Sequence, residues 1–282
     1  MGIFSNKSMM THIKNLFGIC RSITGDGARE SLSYFEEYHP ELERIKFASY
    51  AKVFDWEIPL EWNIKDGYIE HIESGQKFAQ FSDSNLHIVG YSEPINKIMD
   101  LEKLLKNIHT LEDQPKLIPY VTSYYKKDWG FCLSEEIKQK LPKGKYKVVI
   151  DSKLEKGFLE LSHCKLDGML KQEIFFSTYI CHPSMANNEL SGPVVLSRLL
   201  DYIKEKYPNS KFTYRFVFLP ETIGSIAYIS RYEDELLSNV ISGFNITCVG
   251  DDRNYSHVKS PYENTLADRA LEAGLSGLKN KK

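Results

Sequence analysis

The sequence predicts an α/β fold with a mixed, mostly parallel sheet flanked by helices and an inserted β-rich subdomain. Two observations lead to this prediction. From Lys145 onward, apolar β-branched runs alternate with amphipathic helical patterns, which is typical of a mostly parallel sheet. Between residues 61 and 142 this alternation is lost, and the chain there is rich in tryptophan and tyrosine. That segment therefore indicates a β-rich insert.

The first 60 residues are predicted to begin the α/β core. Asp26 follows a glycine-punctuated loop and is placed to cap a helix that ends near His39. The predicted elements of this part are a helix over 7–17, a helix over 28–38, and strands over 45–50 and 53–58.

The segment 61–142 is predicted to form a compact unit beside the core, without adding strands to the core sheet. It contains short alternating runs such as 86–91 and the tyrosine-rich stretch 119–125. The expected organisation is an α/β core made of 1–60 and 143–282, with the inserted subdomain between them.

Residues 143–282 are predicted to supply most of the core sheet. Strand-like and helical patterns alternate here, and Pro208-Asn209-Ser210 reads as an ordinary turn between a helix and a strand. The predicted elements are strands over 146–150, 157–161, 173–180, 212–219 and 240–249, and helices over 193–206 and 222–233.

Polar residues follow three of these strands, at the edge where open α/β sheets bind ligands. His182 follows the first strand, Glu221 the second, and Asp251 with Asp252 the third. A strand-end His can simply bond a loop carbonyl, and a Glu in a first helical turn is favoured by the helix dipole. The two Asp residues can chelate a cation or pair with Arg253. Three such coincidences at one edge favour a site for a metal or an anionic group.

Composition and charge argue against several classes of function. The net charge is −2 and Lys and Arg are scattered, so the chain has no electrostatic footprint for nucleic acid or a membrane surface. No run approaches the about 18 apolar residues of a membrane span, and the first ten residues do not resemble a signal peptide. The five cysteines are odd in number and widely spaced, which indicates reduced thiols. We therefore expect a cytoplasmic protein.

Several short motifs occur in order along residues 8–271. They are Arg21–Gly27, Val53–Trp56, Glu61–Asn63, Asn85–His87, Ile118–Tyr125, Trp129–Cys132, Cys181–Ser184, Pro220–Ser225 and Cys248–Arg253. Together they resemble the aminopeptidase-like proteins found with bacterial polysaccharide-biosynthesis genes, a family long labelled as a domain of unknown function. Its core is similar to that of the co-catalytic zinc aminopeptidases and carboxypeptidases. The resemblance implies a zinc-aminopeptidase-like α/β core interrupted by an insert.

The resemblance also implies a set of metal ligands, of which this chain keeps only part. His182 stands at the position of the first His ligand. Glu221 stands at that of the general base, which makes it the candidate catalytic residue. Neutral residues occupy the positions of three acidic ligands of two-zinc relatives, namely Asn188 at the bridging Asp, Thr222 and Thr247. The final His ligand has no counterpart.

Neutral side chains cannot replace carboxylates that compensate the charge of two dications. We therefore expect at most one zinc ion, weakly held or absent. Its candidate ligands are His182, Asn188, Glu189, Glu221 and Asp251, with water completing the shell. If zinc binds, the expected reaction is metal-assisted hydrolysis of a peptide or small-molecule substrate. Glu221 then takes the proton of the bound water, unless it is itself used as a ligand.

After Leu271 the resemblance stops, although family members continue through more of the sheet and the late metal ligand. The tail that follows can be a naturally polar terminus or the mark of a frameshift or premature stop. We expect the second, and so a core that is incomplete at its C-terminal end. On these grounds we expect the chain to hydrolyse aminoacyl substrates poorly or not at all.

Two other functions are open to test. In a non-catalytic binding module, the strand-end pocket and the aromatic insert would hold a sugar or peptide without chemistry. Thiol chemistry at Cys181 beside His182 is disfavoured, because neighbours in an extended strand point to opposite faces. The aromatic residues of the insert that could serve the module are Trp62, Tyr120, Tyr124, Tyr125 and Trp129.

Overall fold

The computed structural model describes residue 4 and residues 7–277 of the chain. The helices, in chain order, are α1 (Met9–Phe17), α2 (Asp26–Tyr38), α3 (Leu101–Leu104), α4 (Glu135–Lys138), α5 (Ser191–Lys206), α6 (Ile223–Asn239) and α7 (Leu266–Leu275). The strands are β1 (Glu43–Ala48), β2 (Lys52–Val53), β3 (Trp56–Glu57), β4 (Glu61–His71), β5 (Lys77–Phe78), β6 (Ile95–Asp100), β7 (Ile108–His109), β8 (Phe131–Cys132), β9 (Lys145–Glu155), β10 (Phe158–Leu166), β11 (Leu170–Tyr179), β12 (Phe212–Leu219) and β13 (Val240–Asn245).

Five strands form the core sheet, in the order β1-β10-β12-β11-β13. β11 runs parallel to both of its neighbours, β12 and β13. β10 runs antiparallel to β1 and to β12, so it alone opposes the direction of the other four strands. This mixed, mostly parallel sheet with flanking helices confirms the predicted fold class.

Alternating side chains of β12 show how the sheet is buried on both faces. Phe216 and Phe218 pack with α1, α2 and α5 on one face, while Val217 and Leu219 pack with α6 on the other. Successive strand residues point to opposite faces, and all four side chains are buried. An unbroken apolar run is therefore required over 216–219, while Thr213 and Arg215 precede it in the same strand.

A second, antiparallel sheet has the order β5-β4-β9-β6 and its own apolar core. Its central strand β9 begins at Lys145, outside the segment 61–142. The chain then turns at residues 156–157 and enters the core sheet as β10. In the described chain, no strand between residues 61 and 142 joins the core sheet. The proposed domain division stays a prediction. The second sheet includes one long strand, β9, that lies outside the segment 61–142.

Several element boundaries differ from the sequence prediction for identifiable reasons. β13 ends at Asn245 rather than at 249, because Cys248 has a φ of 51° that no extended strand can accommodate. The run 86–91 is a 3₁₀ turn followed by two isolated bridges rather than a strand. The strand expected over 53–58 is the two-residue hairpin β2–β3. α6 continues to Asn239 rather than 233, across a kink at Tyr232 (φ −117°, ψ 17°), since no Gly or Pro lies between 225 and 239.

Helix α7 and the end of the chain complete the described structure. Thr265 caps α7, and Asp268 returns the bond to the Thr265 backbone, which forms a capping box. Residues 278–282, the last five of the tail noted in the sequence, lie outside the described residues. No helix in the described part is long and apolar enough to cross a membrane.

Candidate metal and catalytic site

The loops after β11, β12 and β13 each contain a non-glycine residue in the positive-φ region. These residues are Ser184 with φ 48°, Thr222 with φ 58° and Cys248 with φ 51°. Such conformations are costly for L-residues and collect where a site needs a fixed loop geometry. The strain points to the same edge of the sheet that the sequence singles out.

His182 is held in one orientation at this edge. Its Nδ1 bonds Glu189 Oε2 at 2.7 Å. The rings of Tyr120 and Tyr179 pack edge-on against it, at centroid distances of 5.2 and 5.6 Å. A carboxylate is acceptor-only, so Nδ1 donates this bond, and Nε2 is the ring nitrogen that faces Glu221. Nε2 lies 3.4 Å from Glu221 Oε2.

Glu189 is fully buried behind His182. Its Oε1 accepts the backbone N–H of Cys181, and Oε2 accepts from His182. The guanidinium of Arg21, also buried, lies 3.9 Å from Oε1 and donates to the His182 carbonyl at 2.9 Å. A buried charge is tolerated when it is paired. Burial lowers the pKa of Arg21, and the Glu189 carboxylate opposes that shift.

A wide helical turn over Ala186–Leu190 explains why Glu189 and its neighbour Asn188 have different surroundings. Such π-type turns are often found at functional sites. Glu189 is buried, whereas Asn188 is exposed and its Nδ2 donates to Cys248 Sγ at 3.7 Å. The side chain at the bridging position therefore faces the β13 loop.

Glu221 differs from Glu189 in being half exposed, with 51% of its side chain accessible. Its backbone N–H donates to Cys181 Sγ at 3.3 Å, which ties the end of β12 to the end of β11. Cys181 is buried, and burial raises its pKa well above the usual value. Cys181 Sγ contacts His182 Nδ1 at 3.6 Å, so the two side chains lie closer than an extended strand allows. The raised pKa keeps the sulfur a thiol rather than a nucleophile.

Asp251, the other predicted ligand, is bonded within its own loop. Its carboxylate accepts from the backbone N–H of Arg253 at 2.8 Å and from that guanidinium at 2.9 Å. The Arg253 hydrogen bonds lower the pKa of Asp251 to about 2. The carboxylate is thus already compensated by a cation two residues away.

A metal fit can be judged from the donor atoms that remain. Cys181, His182 and Glu189 offer three potential ligand atoms within 4.8 Å of one another. Both oxygens of Glu189 are engaged, however, and Cys181 is a buried thiol. The free pair is His182 Nε2 and the Glu221 carboxylate. That pair, with water, fits one divalent cation. Asn188, Thr222 and Thr247 are neutral, so they do not compensate the charge of a second cation.

Two further residues of the site, Arg21 and Tyr179, were not predicted to belong to it, and Tyr120 was named only for the binding alternative. Arg21 and Tyr179 belong to the core, and Tyr120 reaches His182 from the insert. The Tyr120 hydroxyl bonds that of Tyr124 at 2.9 Å, and burial raises the pKa of Tyr124 to about 12. The tyrosine-rich stretch 119–125 was the available signal, since aromatic residues with polar tips suit a half-buried wall.

Comparison with known proteins adds a family and a fold. A family described as Domain of unknown function (DUF4910) matches residues 10–282. A Clostridium acetobutylicum protein is 44% identical over 260 residues, which are 92% of this chain and 59% of that protein. It carries the provisional name of polysaccharide biosynthesis protein with aminopeptidase-like domain. The chain thus spans less than two thirds of the length of this relative.

Solved structures agree with the fold. A crystal structure of a provisionally named peptidase from Clostridium acetobutylicum superposes with a TM-score of 0.92 at 40% identity, over 97% of this chain and 64% of that chain. A zinc aminopeptidase from Bacillus subtilis superposes with a TM-score of 0.63 at 11% identity, over 97% of this chain and 79% of that chain. The second likeness shows the fold alone, which is the zinc-aminopeptidase-like fold that the motifs imply.

Proposed function

This chain belongs to the family described as Domain of unknown function (DUF4910), and we propose that it acts as a metal-dependent, aminopeptidase-like amide hydrolase. The observation that carries the proposal is the pair formed by His182 Nε2 and Glu221 Oε2, 3.4 Å apart. Glu189 holds the opposite nitrogen of the same imidazole at 2.7 Å. A carboxylate behind a histidine fixes the tautomer and raises the ligand basicity of the exposed nitrogen.

The proposed chemistry makes His182 a ligand and gives Glu221 two roles, as ligand and as base. A zinc ion held by His182 and Glu221 would supply a polarised carbonyl and an acidified water. Glu221 takes a proton from the water while the water oxygen adds to the amide carbon. The same proton passes to the amide nitrogen as the C–N bond breaks, so a carboxylic acid and an amine leave. Glu189 is a positioning residue, since it acts through His182.

Turnover of simple aminoacyl substrates is expected to be slow. Glu221 is the acidic residue beside His182 Nε2, and it serves both as ligand and as base. A ligand whose lone pair is committed to the cation is a weaker base, and a cation with few protein ligands is loosely held. The proposal therefore includes one weakly bound zinc ion per chain rather than the two-zinc centre implied for active relatives.

The setting of the reaction is also proposed. The Clostridium acetobutylicum relative is named for polysaccharide biosynthesis, which supports a role in surface polysaccharide biosynthesis for this chain too. The substrate is proposed to be a small molecule or peptide rather than nucleic acid, given the net charge of −2. The five cysteines are all free thiols, which supports a cytoplasmic location.

Hydrolysis of a panel of aminoacyl-nitroanilides and dipeptides tests the proposal, with zinc, manganese or cobalt added. We expect slow, chelator-sensitive turnover that falls by about 10²–10⁴-fold in Glu221→Gln, the usual contribution of a general base. Glu233→Gln, an exposed Glu on α6, is the matched control and should leave the rate unchanged. Turnover that persists in Glu221→Gln, or none with any metal, would contradict the proposal.

Ligand binding without chemistry is the second candidate, favoured by the contact of Tyr120 with His182. The aromatic insert thus reaches the site, although Trp62 is itself buried in the core. Metal analysis separates the two functions. Stoichiometric zinc that is lost in His182→Ala supports the hydrolase, whereas ligand binding that survives chelation supports the binding module.

A further inference from the structure

A cavity of about 300 Å³ lies beside the site, between the ends of β11 and β12, the start of α6 and the edge strand β13. Glu221 and Thr222 line it, so it adjoins the carboxylate that faces His182. Ligand pockets span about 300–1,000 Å³. The cavity therefore has room for one ring or side chain rather than an extended chain. A larger cavity of about 430 Å³ is lined in part by Asp26 and Trp62, and neither His182 nor Glu221 lines it.

One wall of the 300 Å³ cavity is aromatic and held in place from behind. Phe175, Leu219 and Tyr228 contribute apolar surface to it. The Tyr228 hydroxyl is engaged away from the cavity, by Arg215 Nη1 at 2.8 Å and by His163 Nδ1 at 2.8 Å. Tyr228 therefore offers the cavity its ring rather than its hydroxyl, and two hydrogen bonds keep that ring in place.

The other wall carries neutral hydrogen-bonding groups. Ser177 Oγ donates to Asn245 Oδ1 at 3.1 Å. This bond orients the Asn245 amide and leaves its nitrogen as a donor for a ligand. Ser225 also lines the cavity, as does Tyr179, whose hydroxyl lies 3.8 Å from Cys248 Sγ. Among the described residues that line the cavity, Glu221 is the one charged side chain.

This lining selects among classes of ligand. A purely apolar side chain would remove water from Ser177 and Asn245 without replacing their hydrogen bonds, at a cost of about 1–3 kcal/mol for each group left unsatisfied. An anionic group would meet the Glu221 carboxylate. A neutral ring with hydroxyls on its rim and C–H groups on its face satisfies both walls.

We infer that this cavity binds a sugar ring, and that the amide to be hydrolysed is an acylamino substituent of that ring, as in an N-acetylhexosamine. The inference rests on the proposed function, because the ring in the cavity places its substituent beside Glu221 and His182. It adds the substrate class, which neither the family nor the fold provides.

Saturation-transfer NMR on the full chain in EDTA tests the inference without any turnover. The probes are N-acetyl-D-glucosamine and N-acetyl-L-leucinamide, which share the amide and differ in the ring. We expect transfer to the sugar, and a Kd at least about tenfold higher in Ser177→Ala/Asn245→Ala, since each hydrogen bond contributes about 1 kcal/mol. Ser238→Ala/Asn209→Ala, which alters exposed positions outside the cavity, is the matched control and should bind as the parent chain does.

Each other outcome overturns the inference. Binding of the leucinamide but not of the sugar would assign the cavity to an apolar side chain and leave the hydrolase proposal intact. Binding of neither probe, or sugar binding that is equal in the two double variants, would remove the cavity as a sugar site. Failure of the hydrolase proposal is seen separately, as the absence of metal-dependent turnover, while sugar binding in EDTA persists.

Discussion

The loops after β11 and β13 carry acidic residues at the same edge of the core sheet, yet their carboxylates have opposite surroundings. Glu189 is fully buried and divides its two oxygens between the backbone of Cys181 and the imidazole of His182. Asp251 lies in an exposed loop and is bonded to Arg253, two residues further along. The first carboxylate orients another site residue, and the second neutralises its own neighbour.

The difference shows that position at a strand end is not sufficient for a role in the site. A carboxylate contributes to the site when no cation of its own loop pairs with it and when it contacts another functional group. Glu189 meets this condition because the wide turn before α5 directs it inward, toward Arg21 and His182. In the loop after β13, Asp251 pairs with Arg253 two residues away, so it does not orient another site residue as Glu189 does.

Thiol labelling should give the largest contrast between the two loops. Cys248 is exposed, whereas Cys181 is buried and burial raises its pKa. Labelling of Cys181 requires opening of the core, and a folded domain is stable by about 5–15 kcal/mol. We therefore expect Cys181 to react with iodoacetamide at least about a thousandfold more slowly than Cys248. Mass spectrometry of timed samples measures both rates, and Cys248→Ser should abolish the fast one. Equal rates in the folded protein would contradict the buried placement of Cys181.

Removal of the buried carboxylate should give the next largest effect. Glu189→Ala leaves Arg21 as an uncompensated buried cation, and loss of one partner of a buried pair costs about 3–5 kcal/mol. Asp251→Ala, at the exposed loop, should cost no more than about 1 kcal/mol. Urea denaturation of both variants measures the difference. Similar losses in the two variants would show that the loops do not differ as described.

Relief of backbone strain should give a smaller change of opposite sign. Thr222 is exposed with a φ of 58°, which costs a β-branched residue about 1–3 kcal/mol. Thr222→Gly is expected to stabilise the chain by up to about 1 kcal/mol, after the entropic penalty of glycine is subtracted. The control Thr213→Gly changes a buried residue of β12 and should destabilise. Thermal unfolding compares the two, and a loss of stability in both would argue against strain at Thr222.

The smallest effect concerns the pH dependence of the β13 loop. Arg253 lowers the pKa of Asp251 to about 2 from the usual 3.8. A lowered pKa contributes stability above the unfolded value, and that contribution is lost as the pH falls through about 2. Arg253→Ala should return the pKa toward 3.8, which carboxyl-carbon NMR can follow. An unchanged pKa in this variant would assign the shift to another group.

Much of the fold follows from local sequence patterns. The strand 212–219 was predicted to the residue, since aromatic and β-branched residues dominate it and turn residues lie on both sides of it. β9 shows the limit of such patterns. Its alternation is the same whether it pairs in the core sheet or in the second sheet, and only long-range contacts decide between them.

The site was predictable where it depends on strand ends and not where it depends on distant contacts. His182 and Glu221 follow adjacent strands and do meet, as expected from parallel topology. Arg21 lies 161 residues before His182 in sequence, so no spacing rule could connect them. For Asp251, the sequence left two alternatives open, chelation of a cation and pairing with Arg253. In the structure Asp251 pairs with Arg253.

A zinc titration tests the central claim most directly, namely that His182 and Glu221 form the metal site and that the β13 loop is excluded from it. Isothermal titration of the parent chain, His182→Ala, Glu221→Gln and Asp251→Asn gives stoichiometry and affinity together. We predict at most one zinc ion per chain, bound at least about tenfold more weakly in His182→Ala and Glu221→Gln and unchanged in Asp251→Asn. Two tightly bound zinc ions, or a loss in Asp251→Asn as large as that in His182→Ala, would contradict the claim.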